Sequence, residues 1–181
     1  MAGNVVGTHA IAVLDAGQLL SCSFEEIMKY HGWGSPGGVA HAFKVMERAW
    51  PLLSPGPSPP ERREITVTTA FGGPGARDAF EFVTRAVTGE RYVVDPALTR
   101  PERGRTLERF VFRLGYRERT VTLLLCEGYV TEEFLELARE PHRSHEQERR
   151  LSVLKREMAG RVMAAPAAQV YGVASGPWSR P

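Results

Sequence analysis

A turn rich in glycine constrains this chain more than any other segment. A helix-forming run over residues 24–30 ends at His31, and three glycines and a proline occur among the six residues that follow. Glycine lets the backbone approach a ligand closely and proline suits the first turn of a helix, so we expect a second helix to begin near Pro36. The turn then directs His31, Trp33 and Ser35 towards the N-terminus of that helix, where free N–H groups favour an anion. This geometry predicts a small-molecule pocket.

Glycine and proline divide the rest of the chain into helices and strands as well. A capping box, Ser23 with Glu26, opens the first helix. The predicted helices span residues 24–30, 36–50, 76–87, 131–139 and 145–163, and the predicted strands span residues 5–14, 65–71, 92–94, 107–114 and 120–125. The last two strands form a predicted hairpin, and residues 52–60 form a loop. This mixture of helices and strands, with one hairpin, predicts an α+β fold with a helical extension at the C-terminus.

Length and composition restrict the class of protein. The 181 residues fit a single domain with appendages, and we expect an N-terminal extension at 1–19, a core at 20–140 and a C-terminal helix with a flexible tail at 141–181. A formal charge of +2 with no basic stripe argues against nucleic acid as a partner. We expect neither a membrane span nor a signal peptide, since no long apolar run occurs, and we expect a cytoplasmic location. Cys22 and Cys126 are expected to be small buried residues.

Polar residues share a face on two of the predicted helices. Asp78, Glu81 and Arg85 are spaced i, i+3 and i+7 on the third helix. One interpretation is a solvated ion pair between Glu81 and Arg85 worth a few tenths of a kcal/mol. The other is that Arg85 holds an anionic ligand while Glu81 transfers protons. His41 and Lys44, spaced i, i+3 on the second helix, are expected at the surface, with a place in the same cleft as the alternative.

Aromatic and polar residues surround the glycine-rich turn. His31 is either a hydrogen-bonded structural residue or a general acid or base, because imidazole titrates near neutral pH. Tyr30 could donate a proton, and Trp33 offers a flat face to an aromatic or cationic ligand. Ser35 lacks an adjacent base and is expected to cap the second helix.

Two segments, YHGWGSPG (residues 30–37) and DAFEFVTRAVTGE (residues 78–90), resemble the FmdE family, which takes its name from a component of formylmethanofuran dehydrogenase. Members of that family show a short helix, a His-Gly-His-x-Cys-Pro-Gly turn with a helix, an Asp-Ala-Ile-Gln helix that ends in Thr-Gly-Cys-Thr, and then a strand hairpin. The order of elements in this chain is similar over roughly residues 20–125. The resemblance implies an α+β core with a small, mainly antiparallel sheet packed against helices, and a homodimer.

The chain departs from the family pattern at the positions that resemble metal ligands. His31 is kept, but Trp33 stands at the second histidine, and Ser35 and Ala86 stand at the two cysteines. Thiolate and imidazole suit zinc and similar metals, and one imidazole does not hold such a metal at ordinary affinity. We therefore expect no bound metal and no other cofactor.

The same segments carry ionisable groups that the family pattern lacks, because Glu81 replaces a glutamine and Arg85 replaces a glycine. The leading hypothesis is a metal-independent acid–base enzyme that catalyses a cyclisation, condensation or isomerisation, for example a Pictet–Spengler-like ring closure. Its substrate would be a small anionic or aromatic molecule of specialised metabolism. In this hypothesis His31 and Glu81 are catalytic, and the substrate-binding residues are Tyr30, Trp33, Ser35, Arg85 and Asp78.

Two alternatives remain open at this point. The chain could be a non-catalytic binding module or an accessory component of a redox complex, with the charged helix that starts near His145 as the partner surface. A metal could also still be bound, with Cys22, His9 or His41 as ligands.

Overall fold

The computed structural model describes residues 9–175, which form the predicted α+β fold. The helices are α1 (Phe24–His31), α2 (Pro36–Leu53), α3 (Pro74–Thr84), α4 (Glu132–Arg139), α5 (His145–Ala164) and α6 (Ala167–Val170). The strands are β1 (Ala10–Asp15), β2 (Gln18–Ser23), β3 (Ile65–Thr69), β4 (Tyr92–Val94), β5 (Val111–Tyr116), β6 (Arg119–Leu125) and β7 (Tyr171–Val173). Short 3-10 turns lie at Arg62–Glu64, Pro96–Leu98 and Pro101–Arg103.

The main sheet has five strands in the order β4-β3-β5-β6-β7. Only the β3–β4 pair among these is parallel, because α3 carries the chain back across the sheet between those two strands. The predicted hairpin is confirmed as β5 and β6, which pair antiparallel with Val111 opposite Leu124. Its two-residue turn contains Arg117, which has a positive φ of 54°. The sheet is therefore mainly antiparallel, with one parallel edge.

A separate two-stranded hairpin precedes the first helix. β1 and β2 pair antiparallel, and Ala16 and Gly17 between them have positive φ values of 51° and 78°, as a tight hairpin turn requires. The sequence predicts a strand at 5–14 but not β2, in which apolar and polar residues alternate only weakly. Ile11 and Val13 of β1 are buried in the main core. The hairpin crosses the predicted boundary between residues 19 and 20; the domain division itself stays a prediction.

Helix α2 forms the centre of the molecule and packs against α3, α5 and the sheet. It has buried residues on every side, including Val39, Phe43 and Met46. Its N-terminus touches that of α3 so closely that a Cβ added at Gly75 would lie 2.4 Å from the carbonyl oxygen of Ser35. This approach holds the glycine-rich turn against α3.

The C-terminal region is more ordered than the sequence suggests. The sequence predicts a C-terminal helix with a flexible tail over residues 141–181, but residues 167–173 of that tail form α6 and β7, and Tyr171 is fully buried. The physical reason is that β7 pairs with β6, with Leu125 opposite Tyr171, and so extends the sheet. Residues 176–181 of that prediction lie outside the described part of the chain. Within residues 9–175, no helix combines the length and the apolar character that crossing a membrane requires.

Candidate functional site

The predicted site residues meet where the end of α1 faces α3. The capping box that opens α1 is present as predicted, with Ser23 and Glu26 bonded to each other reciprocally. α1 ends at His31 because Gly32 adopts a positive φ of 84°, and the Gly32 N–H closes the helix on the carbonyl of Met28 at 2.8 Å. The helix end thus directs the imidazole towards α3.

His31 and Asp78 form a close pair. The Nδ1 atom of His31 lies 2.8 Å from Oδ2 of Asp78, and the two side chains are 8% and 28% exposed. A carboxylate only accepts hydrogen bonds, so Nδ1 carries the proton and donates it. This contact selects the tautomer in which the other ring nitrogen, Nε2, is the one that can carry a lone pair. Nε2 is buried and has no hydrogen-bond partner among the described residues.

Tyr92 on β4 is a further polar residue on which Asp78 acts, and it is not among the predicted site residues. Burial raises the pKa of Tyr92 to about 12, Arg77 lowers it and Asp78 raises it, so both charges act on the phenol. Its hydroxyl is also buried without a partner among residues 9–175. A tyrosine at the start of a short strand carries no sequence signal for such a position. Buried polar atoms without partners are rare, and two of them, His31 Nε2 and the Tyr92 hydroxyl, belong to residues that interact electrostatically with Asp78.

The aromatic residues of the turn are on the surface. Trp33 is 81% exposed and Tyr30 is 50% exposed. The ring of Tyr30 lies 5.4 Å from that of Phe82 on α3. Ser35 occupies the N-cap position of α2, but its side chain makes no capping hydrogen bond, which corrects the predicted cap. The reason is its backbone conformation, with φ −141° and ψ 59°, outside the extended region usual at that position.

Glu81 has a different environment from His31. Its carboxylate accepts hydrogen bonds from the backbone N–H groups of Val87 (2.8 Å) and Thr88 (3.0 Å) and from the Thr88 hydroxyl (2.5 Å), and it lies 3.4 Å from Arg85. Burial raises the pKa of Glu81, but these hydrogen bonds and Arg85 outweigh it and hold the pKa below its usual value. The carboxylate therefore fixes the segment after α3. A catalytic role for Glu81 stays a prediction.

Helix α3 ends earlier than predicted. It stops at Thr84 rather than at residue 87, because Arg85 adopts a left-handed conformation with φ 54°. The carbonyl groups at this end accept hydrogen bonds from arginine side chains: Arg62 donates to Phe82 and Val83, and Arg91 donates to Thr84 and Arg85. Arg85 itself is 43% exposed, so its guanidinium can still reach an anion in solvent.

Two residues of α2 are wrongly predicted at the surface. His41 and Lys44 are 0% and 1% exposed, because α2 is covered on all sides. The Nδ1 atom of His41 lies 2.8 Å from the hydroxyl of Tyr171 on β7. Burial lowers the pKa of His41 to about 3, and Arg161 adds to this effect, so the ring is neutral. Lys44 donates to Glu47 at 2.7 Å.

The two cysteines are both free, Cys22 buried and Cys126 half-buried. Among the side chains of residues 9–175, no three His, Cys, Asp or Glu residues come together as a metal site would require. The chain matches no protein-family model and no curated protein sequence.

Proposed function

We propose that this protein is an acid–base enzyme in which the imidazole of His31 transfers protons and Asp78 orients it. The observation that carries the proposal is the 2.8 Å contact between Nδ1 and Oδ2, with Nε2 left without a partner among the described residues. A carboxylate on one ring nitrogen fixes the tautomer, so the opposite nitrogen is ready to accept a proton. The role assigned to Asp78 is thus positioning rather than substrate binding.

The proposed reaction begins with removal of a proton from a carbon next to a carbonyl group. Nε2 of His31 takes the proton, and the Asp78 carboxylate stabilises the imidazolium that forms. The hydroxyl of Tyr92, kept protonated by its raised pKa, can donate a hydrogen bond to the oxygen on which negative charge develops. Because Nε2 is buried, a substrate reaches it only if the covering side chains move when the ligand binds.

The proposed substrate is a small anionic aromatic carbonyl compound. Trp33 and Tyr30 expose aromatic rings beside His31, and such rings bind flat ligands by stacking. Arg85, partly exposed at the C-cap of α3 and seven residues after Asp78, supplies a positive charge for a carboxylate. A carbonyl isomerisation begins with the proton transfer described above, and so does a condensation or cyclisation that passes through an enolate. A Pictet–Spengler-like closure instead loses a proton from the aromatic ring after the new bond has formed, and the same imidazole would accept that proton. We also propose that the protein is distantly related to the FmdE family, that it forms a homodimer and that it is cytoplasmic. The order of elements, α1, turn, α2, α3 and hairpin, supports the relationship to that family.

The test is deuterium exchange at the carbon next to the carbonyl of phenylpyruvate in D₂O, followed by proton NMR. We expect the protein to accelerate exchange and His31→Gln to lower the rate by about 10²–10⁴-fold. His142→Gln is the matched control, because His142 is exposed and far along the chain from this pair. Asp78→Asn should lower the rate and shift its pH profile.

Two results would contradict the proposal. One is a His31→Gln variant that keeps the full rate of exchange. The other is a wild-type protein that accelerates exchange neither in phenylpyruvate nor in related aromatic 2-oxo acids.

The second candidate function is a non-catalytic binding module, which the 81% exposure of Trp33 favours. Exposed tryptophan is enriched at recognition surfaces. In this case Trp33→Ala abolishes ligand binding, whereas His31→Gln leaves binding intact and no variant shows turnover. Measuring both binding and exchange on the same variants separates the two functions.

A further inference from the structure

A cavity of about 470 Å³ lies between the C-terminal half of α2 and the junction of α5 with α6. Its wall combines charged residues of α2 with an apolar side that includes Pro51 and Met163. Arg48 lies 12 residues beyond the start of α2 at Pro36, which corresponds to about 18 Å along the helix axis. The cavity is therefore separate from the region of His31 and Asp78.

Arg48 is the most informative residue of this wall. Its Nε atom is buried without a hydrogen-bond partner, and its guanidinium forms no ion pair with the part of the chain that the structure describes. A guanidinium offers five N–H donors in a planar fork, and a buried donor without an acceptor is costly. An acceptor of matching shape, such as a carboxylate, would satisfy it.

Lys44 adds a second positive group. Its side chain is 1% exposed, and its Nζ donates to Oε2 of Glu47 at 2.7 Å. An ammonium has three donors, and no second acceptor for it is found within residues 9–175. Glu47 also faces His9, whose Nδ1 lies 3.6 Å from Oε1. Lys44 and Arg48 carry two positive charges against the one negative charge of Glu47, so these three residues leave the wall with one unbalanced positive charge.

We propose that this cavity is a binding site for a small monocarboxylate with an apolar body. Arg48 would hold both carboxylate oxygens through its fork, and a free N–H of Lys44 would reach one of them. Pro51 and Met163 would cover the apolar part of the ligand. Such a ligand contacts α2 and the α5–α6 junction together, so it would stabilise the contact between them.

The proposal is tested by titrating the full chain with phenylacetate, hexanoate, inorganic phosphate and the uncharged phenylacetamide, using calorimetry and thermal unfolding. We expect saturable binding of the carboxylates and a raised Tm, with no effect of phenylacetamide. Arg48→Gln should weaken carboxylate binding about tenfold or more, as loss of a charge-assisted hydrogen-bonded pair does. Arg149→Gln, an exposed arginine on α5, is the matched control and should bind as the wild type does.

Three outcomes would overturn the proposal: no saturable binding of either carboxylate, equal binding by the Arg48→Gln variant, or binding of phosphate in place of carboxylate. Arg48 is partly exposed, so its replacement is expected to leave the fold intact, whereas Lys44 is fully buried and is not used for this test. The result is independent of the proposed function. His31→Gln should keep carboxylate binding in this cavity, and Arg48→Gln should keep the deuterium exchange.

Discussion

Replacement of Gly75 by alanine should separate the two helices that hold the candidate site. An ideal Cβ at this position lies 2.4 Å from the Ser35 carbonyl oxygen, 3.0 Å from the Val39 nitrogen and 3.1 Å from the Ser35 Cβ. The first distance is 1.0 Å below 3.4 Å, the lower limit of ordinary contact. Two of the three obstructing atoms belong to the backbone, so no side-chain rotation relieves the clash.

The change in the free energy of unfolding that we expect for Gly75→Ala follows from two opposing effects. Overpacking of this kind costs about 1–3 kcal/mol when the backbone must shift. Alanine in a helix gains about 0.5–1 kcal/mol over glycine, but Gly75 lies in the first turn of α3, where the gain is smaller. We expect Gly75→Ala to lower the free energy of unfolding by about 2 kcal/mol. In Gly160→Ala, where a Cβ on α5 meets no atom within 4 Å, the free energy should instead rise by about 0.5–1 kcal/mol.

Urea unfolding followed by circular dichroism measures both free energies, and an unchanged m-value shows that both variants unfold as the wild type does. The ring-proton NMR signal of His31 reports the site itself and should shift in Gly75→Ala but not in Gly160→Ala. A Gly75→Ala variant as stable as the wild type, or as stable as Gly160→Ala, would refute the argument from close packing.

Two further predictions concern buried polar groups. Tyr171→Phe removes the only hydrogen-bond partner that the described residues give to Nδ1 of His41. The free energy of unfolding, measured by urea unfolding, should therefore fall by about 1–3 kcal/mol. Tyr129→Phe is the control, because Tyr129 is half-buried, and it should change the free energy of unfolding less. Glu81 has a pKa below its ordinary value of 4.5 in the folded state, so its contribution is present above that pH and is lost as the pH falls through the folded pKa. Glu81→Gln should therefore be less stable than the wild type at neutral pH, and the difference should shrink in acid; a constant difference from neutral pH into acid would argue against this linkage.

Local sequence signals predicted the elements that depend on neighbouring residues. The capping box of Ser23 and Glu26 defines the start of α1, and the alternation around Arg117 defines the β5–β6 hairpin. These features need only contacts within a few positions of the chain, and the predicted start of α5 at His145 is likewise set by its own cap at Ser144. Short-range hydrogen bonds and periodicity therefore account for the part of the fold that could be predicted.

The rest depends on contacts between distant segments. His41 looks like a surface residue because its spacing with Lys44 places two polar groups on one face, yet its partner Tyr171 is 130 positions away. The pairing of His31 with Asp78 spans 47 positions, although the sequence had selected both residues. Glu81 was predicted as a proton carrier, but its hydrogen bonds arise from a backbone turn that forms only because α3 stops at Thr84. No local pattern indicates such a stop.

The burial of Tyr171 also sets the order in which the chain can complete its fold during synthesis. Its ring packs edge-on against Phe112 of β5 at 5.7 Å, and its hydroxyl meets His41 of α2, so a residue near the C-terminal end of the described chain closes a core formed by earlier elements. A nascent chain that has not yet extended to β7 leaves His41 without this partner and one edge of β6 unpaired. Final closure of the core must therefore wait until β7 has been made, and a ribosome stalled before that strand would hold an incomplete, aggregation-prone intermediate.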